Sequence, residues 1–202
     1  MNLILNNNDK VVSIDREISP NELINEINNL IGDELIFSHV VINGQEIYSN
    51  LEEFLANNIK ETEKIEVIAR TRKEFVHESL LSAKNYLAQT NSLIDDIVSQ
   101  FYSNPSSKEW GQFGHLVDGL QWLTQLITNM DGIEERPRNW GEYVEIHQKI
   151  QNVVMELGEA VEQKDNTLIG DIINYEMKPT YEELNTIISN TINNEGNSND
   201  VN

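Results

Sequence analysis

Lys64-Ile-Glu-Val-Ile-Ala-Arg-Thr-Arg-Lys-Glu-Phe75 is where the chain changes period. From Lys64 to Arg70 apolar and polar residues alternate, which is the two-residue repeat of a half-buried strand. Ile65, Val67 and Ala69 fall on one face, and Glu66, Ile68 and Arg70 on the other. From Thr71 onward the repeat becomes helical. The stretch also holds the tightest basic group, Arg70, Arg72 and Lys73, in a chain of 202 residues with a formal net charge of −20. The residues before it read as a small α+β module, and nearly all those after it as helix.

Upstream, Asn2 to Leu5 and Val11 to Ile14 are short apolar runs around a polar turn, a hairpin signal. Ser19-Pro20 opens a helix: the hydroxyl can cap it, and proline fits the first helical position, where no N–H is needed. Leu23, Ile24, Ile27, Leu30 and Ile31 follow at helical spacing, and Gly32 is placed to end it. A second hairpin turns at Asn43-Gly44, both of which tolerate positive φ. A short helix over about 50–57 and the strand from Lys64 complete the module.

In this order of elements, residues 1–72 resemble the ubiquitin-like β-grasp family. The resemblance rests on His39-Val-Val-Ile-Asn-Gly-Gln-Glu-Ile-Tyr48, Leu51-Glu-Glu-Phe-Leu55 and Ile65-Glu-Val-Ile-Ala-Arg70. It implies that Val41 and Ile68 lie on the outer sheet face, where such proteins display apolar residues to partners. Two readings stay open: a protein-binding surface, or a face covered by the helical remainder. The third apolar member of such a patch belongs in the first turn, where this chain has Asn6 to Asn8. Conjugated members end in Gly-Gly just past the last strand. Thr71-Arg72-Lys73-Glu74 stands there instead, so a conjugatable modifier is not expected.

Beyond Lys73, Val76, Leu80, Ala83, Leu87, Thr90, Ile94, Ile97 and Phe101 alternate steps of four and three, the core stripe of a long helix. Asn104-Pro105 breaks it. A second helix carries Phe113, Leu116, Leu120, Leu123, Ile127 and Met130, with Trp122 and Leu126 widening its apolar face. A third carries Trp140, Tyr143 or Val144, His147, Ile150, Val154, Leu157 and Val161. A fourth runs from about Asn166 through Met177 to Ile192, with a kink expected at Pro179. The expected architecture is α+β: a β-grasp domain over 1–72, then an all-α antiparallel bundle of about four helices over 73–192. A disordered tail is expected over 193–202. Asp171-Ile-Ile-Asn-Tyr-Glu-Met-Lys-Pro179 is similar to a phrase of uncharacterised helical proteins of Gram-positive bacteria.

Chemistry is sparse. There is no cysteine, which removes disulfides, thiolate metal sites and a Cys nucleophile. Gln112 and Val144 stand three residues before His115 and His147, where a di-iron bundle needs Glu. His77 has no second histidine at the metalloprotease spacing. His147, on an apolar stripe, reads as a buried, hydrogen-bonded core histidine. Gly111 and Gly114 lack the Lys-Ser/Thr of a phosphate loop and read as points of close helix approach. Asp95-Asp96, Glu134-Glu135 and Glu182-Glu183 diverge by about 100° on a helix and read as solvated faces.

The strong negative charge disfavours nucleic acid and anionic membranes. No run approaches the roughly 18 apolar residues of a membrane span, and the first residues lack a signal-peptide pattern. A cytoplasmic protein without cofactor or metal is expected. Its expected function is non-enzymatic: an adaptor or chaperone-like factor for a protein partner, with a homodimer as a further arrangement. The candidate protein-binding residues are Val41, Ile68 and Arg70, and Arg136, Arg138 and Trp140 in the loop that mixes two arginines, a proline and a tryptophan. The alternative is an enzyme or small-molecule binder at an aromatic end of the bundle, lined by His115, Trp110, Trp122, Trp140 and Tyr143.

Overall fold

The computed structural model describes residues 1–6, 10–15 and 17–199, with side chains through 194. The chain divides into two compact units, Met1–Phe75 and Val76–Asn202.

The first unit is a five-stranded mixed sheet in the order β2-β1-β5-β3-β4. β1 (Asn2–Leu5) pairs antiparallel with β2 (Lys10–Ser13) and parallel with β5 (Lys64–Thr71). β5 pairs antiparallel with β3 (Leu35–Ile42), which continues through the Asn43-Gly44 turn into β4 (Gln45–Ile47). That turn has φ of 49° and 88°, the left-handed values its two residues accept most readily. The Asn43 carboxamide also ties the turn to the start of β5. Its Nδ2 donates to the Glu61 carbonyl at 2.9 Å, and its Oδ1 accepts from the Glu63 and Lys64 amides.

Helix α1 (Pro20–Ile31) begins as its sequence dictates. The Ser19 hydroxyl accepts from the Glu22 amide, the Glu22 carboxylate accepts from the Ser19 amide, and Gly32 ends the helix at φ 66°. Leu23, Ile27, Leu30 and Ile31 of α1 and Leu55 of α2 (Leu51–Asn58) pack on the sheet face made by Leu3, Leu5, Val40, Ile42, Ile65, Val67 and Ala69. The alternation of β5 thus divides as its sequence requires, with Ile65, Val67 and Ala69 inward.

The second unit is helical: α3 (Arg72–Ser103), α4 (Ser107–Asp131), α5 (Trp140–Gln163), α6 (Asn166–Ile172), a π-helical turn (Ile173–Met177) and α7 (Lys178–Asn199). Of the expected tail, 193–199 continue α7 in backbone, and the last three residues lie outside the described ones. α3 starts on Thr71, which exchanges hydrogen bonds with Glu74 as a capping box does. All eight stripe residues from Val76 to Phe101 are buried. Ser106 and Glu109 form a third capping box at the start of α4.

Three sequence expectations are corrected here. Among the described residues of this unit there are six helical segments rather than about four, because the last rod is interrupted. In an unbroken α-helix counted from Ile169, Glu176 would return to within about 20° of the core direction and Tyr181 would lie about 120° away. Burial instead falls on Ile169, Ile173, Met177 and Tyr181, three successive steps of four. One wide turn absorbs that drift. It keeps the Glu176 carboxylate exposed and brings Tyr181 inside. Pro179 follows the turn, so the residue four positions back, whose carbonyl a helical proline ring crowds, is Tyr175 inside the turn.

The α5 stripe is the second correction: Ile146, Val153 and Ala160 are buried, while Val161 is exposed. Apolar residues adjoin at 153–154 and 160–161, and helical spacing alone does not choose between them. His147 is only half-buried, and its Nε2 is enclosed without a hydrogen-bond partner.

The glycines are the third correction. A Cβ at Gly111 or Gly114 would meet no atom within 4 Å. The close approaches are at Gly119, where a Cβ would fall on the Tyr86 hydroxyl, and at Gly170, where it would come within 3.2 Å of Tyr102 Cε1.

Candidate functional site

On the sheet, strand register decides which side chains share the outer face. His39 pairs with Ile68 and Val41 with Glu66, so Val41 and Ile68 are diagonal neighbours on the side opposite the core. Both are half-buried. Ile4 pairs with Glu66 from the other side and in turn with Val11, which is 56% exposed. The outer face therefore carries a row of Val11, Ile4, Ile68 and Val41 around Glu66, which stands between Ile4 and Val41 and pairs with Lys64 at 2.7 Å. Sequence reading looked for the third apolar member in the Asn6–Asn8 turn and missed it in β2, because the cross-strand pair Ile4–Val11 depends on hairpin register. Residues 7 and 8 lie outside the described ones. Asn6 accepts a hydrogen bond from the Ala69 amide at 2.8 Å, so it serves the backbone rather than the surface.

One end of the row is aromatic. Tyr48, 65% exposed, stacks on His39 with centroids 4.4 Å apart, which explains why His39 is nearly buried on an outer face. The Tyr48 hydroxyl donates to Glu46 at 2.8 Å, and that hydrogen bond pushes its pKa up, with the positive charge of Arg70 opposing the shift. Arg70, half-buried on the same face, thus closes the aromatic end. Its neighbour Arg72 donates to the Asp33 carbonyl at 2.7 Å.

The loop from Ile133 to Asn139 is organised around Asp131. Its Oδ1 accepts from Arg136 at 2.9 Å and from the Trp140 indole at 2.8 Å, and Arg136 also donates to the Asp131 carbonyl. The Arg136 guanidinium lies 5.7 Å from the Trp140 ring centroid. Trp140 is buried and stacks on Tyr143, whose hydroxyl meets Thr191 at 2.8 Å. Arg136, though exposed, and Trp140 are therefore both bonded to Asp131 at the end of α4, Tyr143 makes the contact to α7, and Arg138 also stands exposed. In sequence the arginines and the tryptophan look like a recognition loop. The aspartate that bonds Arg136 and Trp140 closes the preceding helix and gives no signal of its own.

The aromatic residues do not converge on one pocket. Trp110 packs against Phe101 and Phe113, Trp122 against Tyr86, and Trp140 against Tyr143. His115 is exposed and faces Asp118 at 4.0 Å. Two of the acidic pairs take part in ion pairs, Asp95 with Lys178 and Glu183 with Lys149, each at 2.6 Å. A cleft of roughly 340 Å³ between α4 and α5 is lined by Gln121, Thr124, Gln125, Gln151 and Val154, with no charged side chain. Among the described residues no three His, Asp or Glu side chains gather as a metal ion would need, and no helix is long and apolar enough to cross a membrane.

Neither a curated protein nor a solved structure matches the chain. Residues 78–187, more than half of the sequence and wholly inside the helical unit, match a domain of unknown function, DUF8042, and the chain belongs to that family.

Proposed function

We propose that the chain is a non-enzymatic interaction protein of the cytoplasm, an adaptor or chaperone-like factor whose first unit is a ubiquitin-like β-grasp module. The strand order β2-β1-β5-β3-β4, with the two central strands parallel and α1 across one face, supports the β-grasp reading. The observation that carries the functional reading is the apolar row Val11, Ile4, Ile68 and Val41 on the opposite face. A row of aliphatic side chains ending in an exposed tyrosine and an arginine has the composition of a protein contact, where aromatics and arginine are enriched.

The test is affinity capture with the intact chain and with a Val11→Asp/Ile68→Asp double variant, each checked by circular dichroism. A partner retained by the first and lost from the second supports the reading. The same set retained by both, with folding intact, would assign the contact elsewhere. The second reading, a small-molecule site at an aromatic end of the helices, has no comparable observation behind it, since Trp110, Trp122 and Trp140 stand in separate clusters.

A further inference from the structure

Tyr175, inside the π-helical turn, is 66% exposed and follows Asp171 by four residues, and Tyr102 of α3 is itself 43% exposed. The Tyr102 hydroxyl donates to Asp171 Oδ1 at 2.6 Å. Gly170 makes this approach feasible, since a Cβ there would press on the Tyr102 ring. Asp171 is thus held by Tyr102 on one side and followed, four residues on, by the exposed Tyr175. The pKa of the Tyr102 hydroxyl rises to about 12. The causes are first the hydrogen bond to Asp171, then burial, then the charges of Asp171 and Tyr175, with Asn174 opposing.

We propose that Tyr102, Asp171 and Tyr175 form a docking site for a cationic side chain, the arginine or lysine of a basic protein segment. Aromatic faces carry negative charge density and attract ammonium and guanidinium groups, and a carboxylate at their edge supplies the ionic partner. Asp171 gives one oxygen to Tyr102, and its second oxygen remains an acceptor. The cation of the same segment, Lys178, does not fill the site, because its ammonium is bonded to Asp95 at 2.6 Å. The chain's net charge of −20 draws basic partners and repels anionic ones over distances longer than the contact itself. Each of these contacts is weak when exposed to water. A free small cation would be held only at about 10 mM or weaker, so the site becomes effective when its cation is carried on a chain that makes further contacts. This site is separate from the sheet face, and either can fail without the other.

The experiment titrates the full chain with three probes: a capped Gly/Ser peptide bearing three arginines, its citrulline counterpart, and tetramethylammonium. Binding is read from the ring resonances of Tyr102 and Tyr175. The arginine peptide is expected to shift both rings saturably and the citrulline peptide to leave them unmoved. Tyr175→Leu, at an exposed position, should weaken binding by about five-fold, and Asp171→Asn by at least as much. Asp118→Asn removes the same charge from an exposed site on α4 and should change it by less than about two-fold. Four results would each overturn the proposal: equal weakening by Asp118→Asn and Asp171→Asn, Tyr175→Leu without effect, tight binding of the citrulline peptide, or tetramethylammonium binding as tightly as the arginine peptide. The last would make the site one for small organic cations.

Discussion

Glycines in α4 should respond to one substitution with opposite signs. In an exposed helix interior, alanine is favoured over glycine by about 0.5–1 kcal/mol, because glycine loses more backbone freedom on folding. Gly111 and Gly114 have open space where a Cβ would go, so Gly111→Ala and Gly114→Ala should each stabilise the helical unit by about that amount. At Gly119 the same intrinsic gain meets Tyr86. The new Cβ would coincide with the tyrosine hydroxyl, with Cε2 only 3.0 Å away, and the ring has to swing aside. Tyr86 then loses edge contacts with Trp122 at 5.6 Å and Tyr181 at 6.2 Å, each worth about 0.5–1.5 kcal/mol. Tyr181 is almost fully buried, and its hydroxyl meets that of Tyr86 at 3.4 Å. Without that neighbour a buried hydroxyl is left unpaired, at about 1 kcal/mol for a bond this long. The opposing effects exceed the helix gain, and Gly119→Ala should destabilise by about 1–3 kcal/mol.

Urea unfolding followed at the helix band of the circular dichroism spectrum measures all three variants on one scale, with equal m-values as the check that only stability has changed. A double-mutant cycle isolates the cause. With Tyr86→Leu the obstruction is gone, and Gly119→Ala in that background should lose most of its penalty. If Gly119→Ala stabilises as Gly114→Ala does, or costs the same with and without Tyr86, then the three-helix contact of α3, α4 and α7 is not where the structure puts it.

The remaining predictions concern caps, buried polar atoms and the wide turn. Ser106→Ala should cost about 1 kcal/mol in the same urea assay, through loss of the α4 capping box. Hydrogen bonds from Ser19 and Ser106 hold the carboxyls of Glu22 and Glu109 below their ordinary 4.5, so the folded state binds their protons less readily than the unfolded chain. Their stabilisation is complete above about 4.5 and lost as pH falls below it. A Ser19→Ala/Ser106→Ala variant should therefore lose stability less steeply on acidification than the intact chain, as denaturation at stepped pH would register. His147→Leu removes an enclosed nitrogen without a partner and should raise the urea midpoint, by up to about 1 kcal/mol of stability. Pro179→Ala should leave the π turn in place, visible in backbone carbon shifts over 173–177, because the burial pattern sets it rather than the proline.

How much of this was legible depended on how far a stripe holds its phase. Along α3 the steps of four and three run unbroken from Val76 to Phe101, which favours Leu80 over Leu81 and Ile94 over Leu93, and all these stripe residues were placed inside, with the adjoining Val98 missed. Along α5 the apolar residues come as neighbours, Val153 with Val154 and Ala160 with Val161, and periodicity cannot choose between them. Trp122 is exposed at 40% despite its size, because it lies over Tyr86 at the edge of α4 rather than in its stripe. The outer sheet face was half legible: alternation gave Ile68 and Arg70, whereas Val11 needed the register of a hairpin.

The π turn had a signal that an α-helical reading passes over. Buried residues four apart, repeated three times from Ile169 to Tyr181, drift by about 120° on a regular helix, and the residue that would take the vacated core position is Glu176. A carboxylate there has no cation within the apolar stripe to offset its desolvation, so the helix widens instead. The cation site was invisible for a different reason. Tyr102 and Asp171 are 69 residues apart, and no local pattern pairs them. Tyr175, six residues past Ile169, lies about 120° from the core direction even on a regular helix, so it stays in water in either register. The register device answers to Glu176 alone, whose carboxylate the wide turn keeps out of the core.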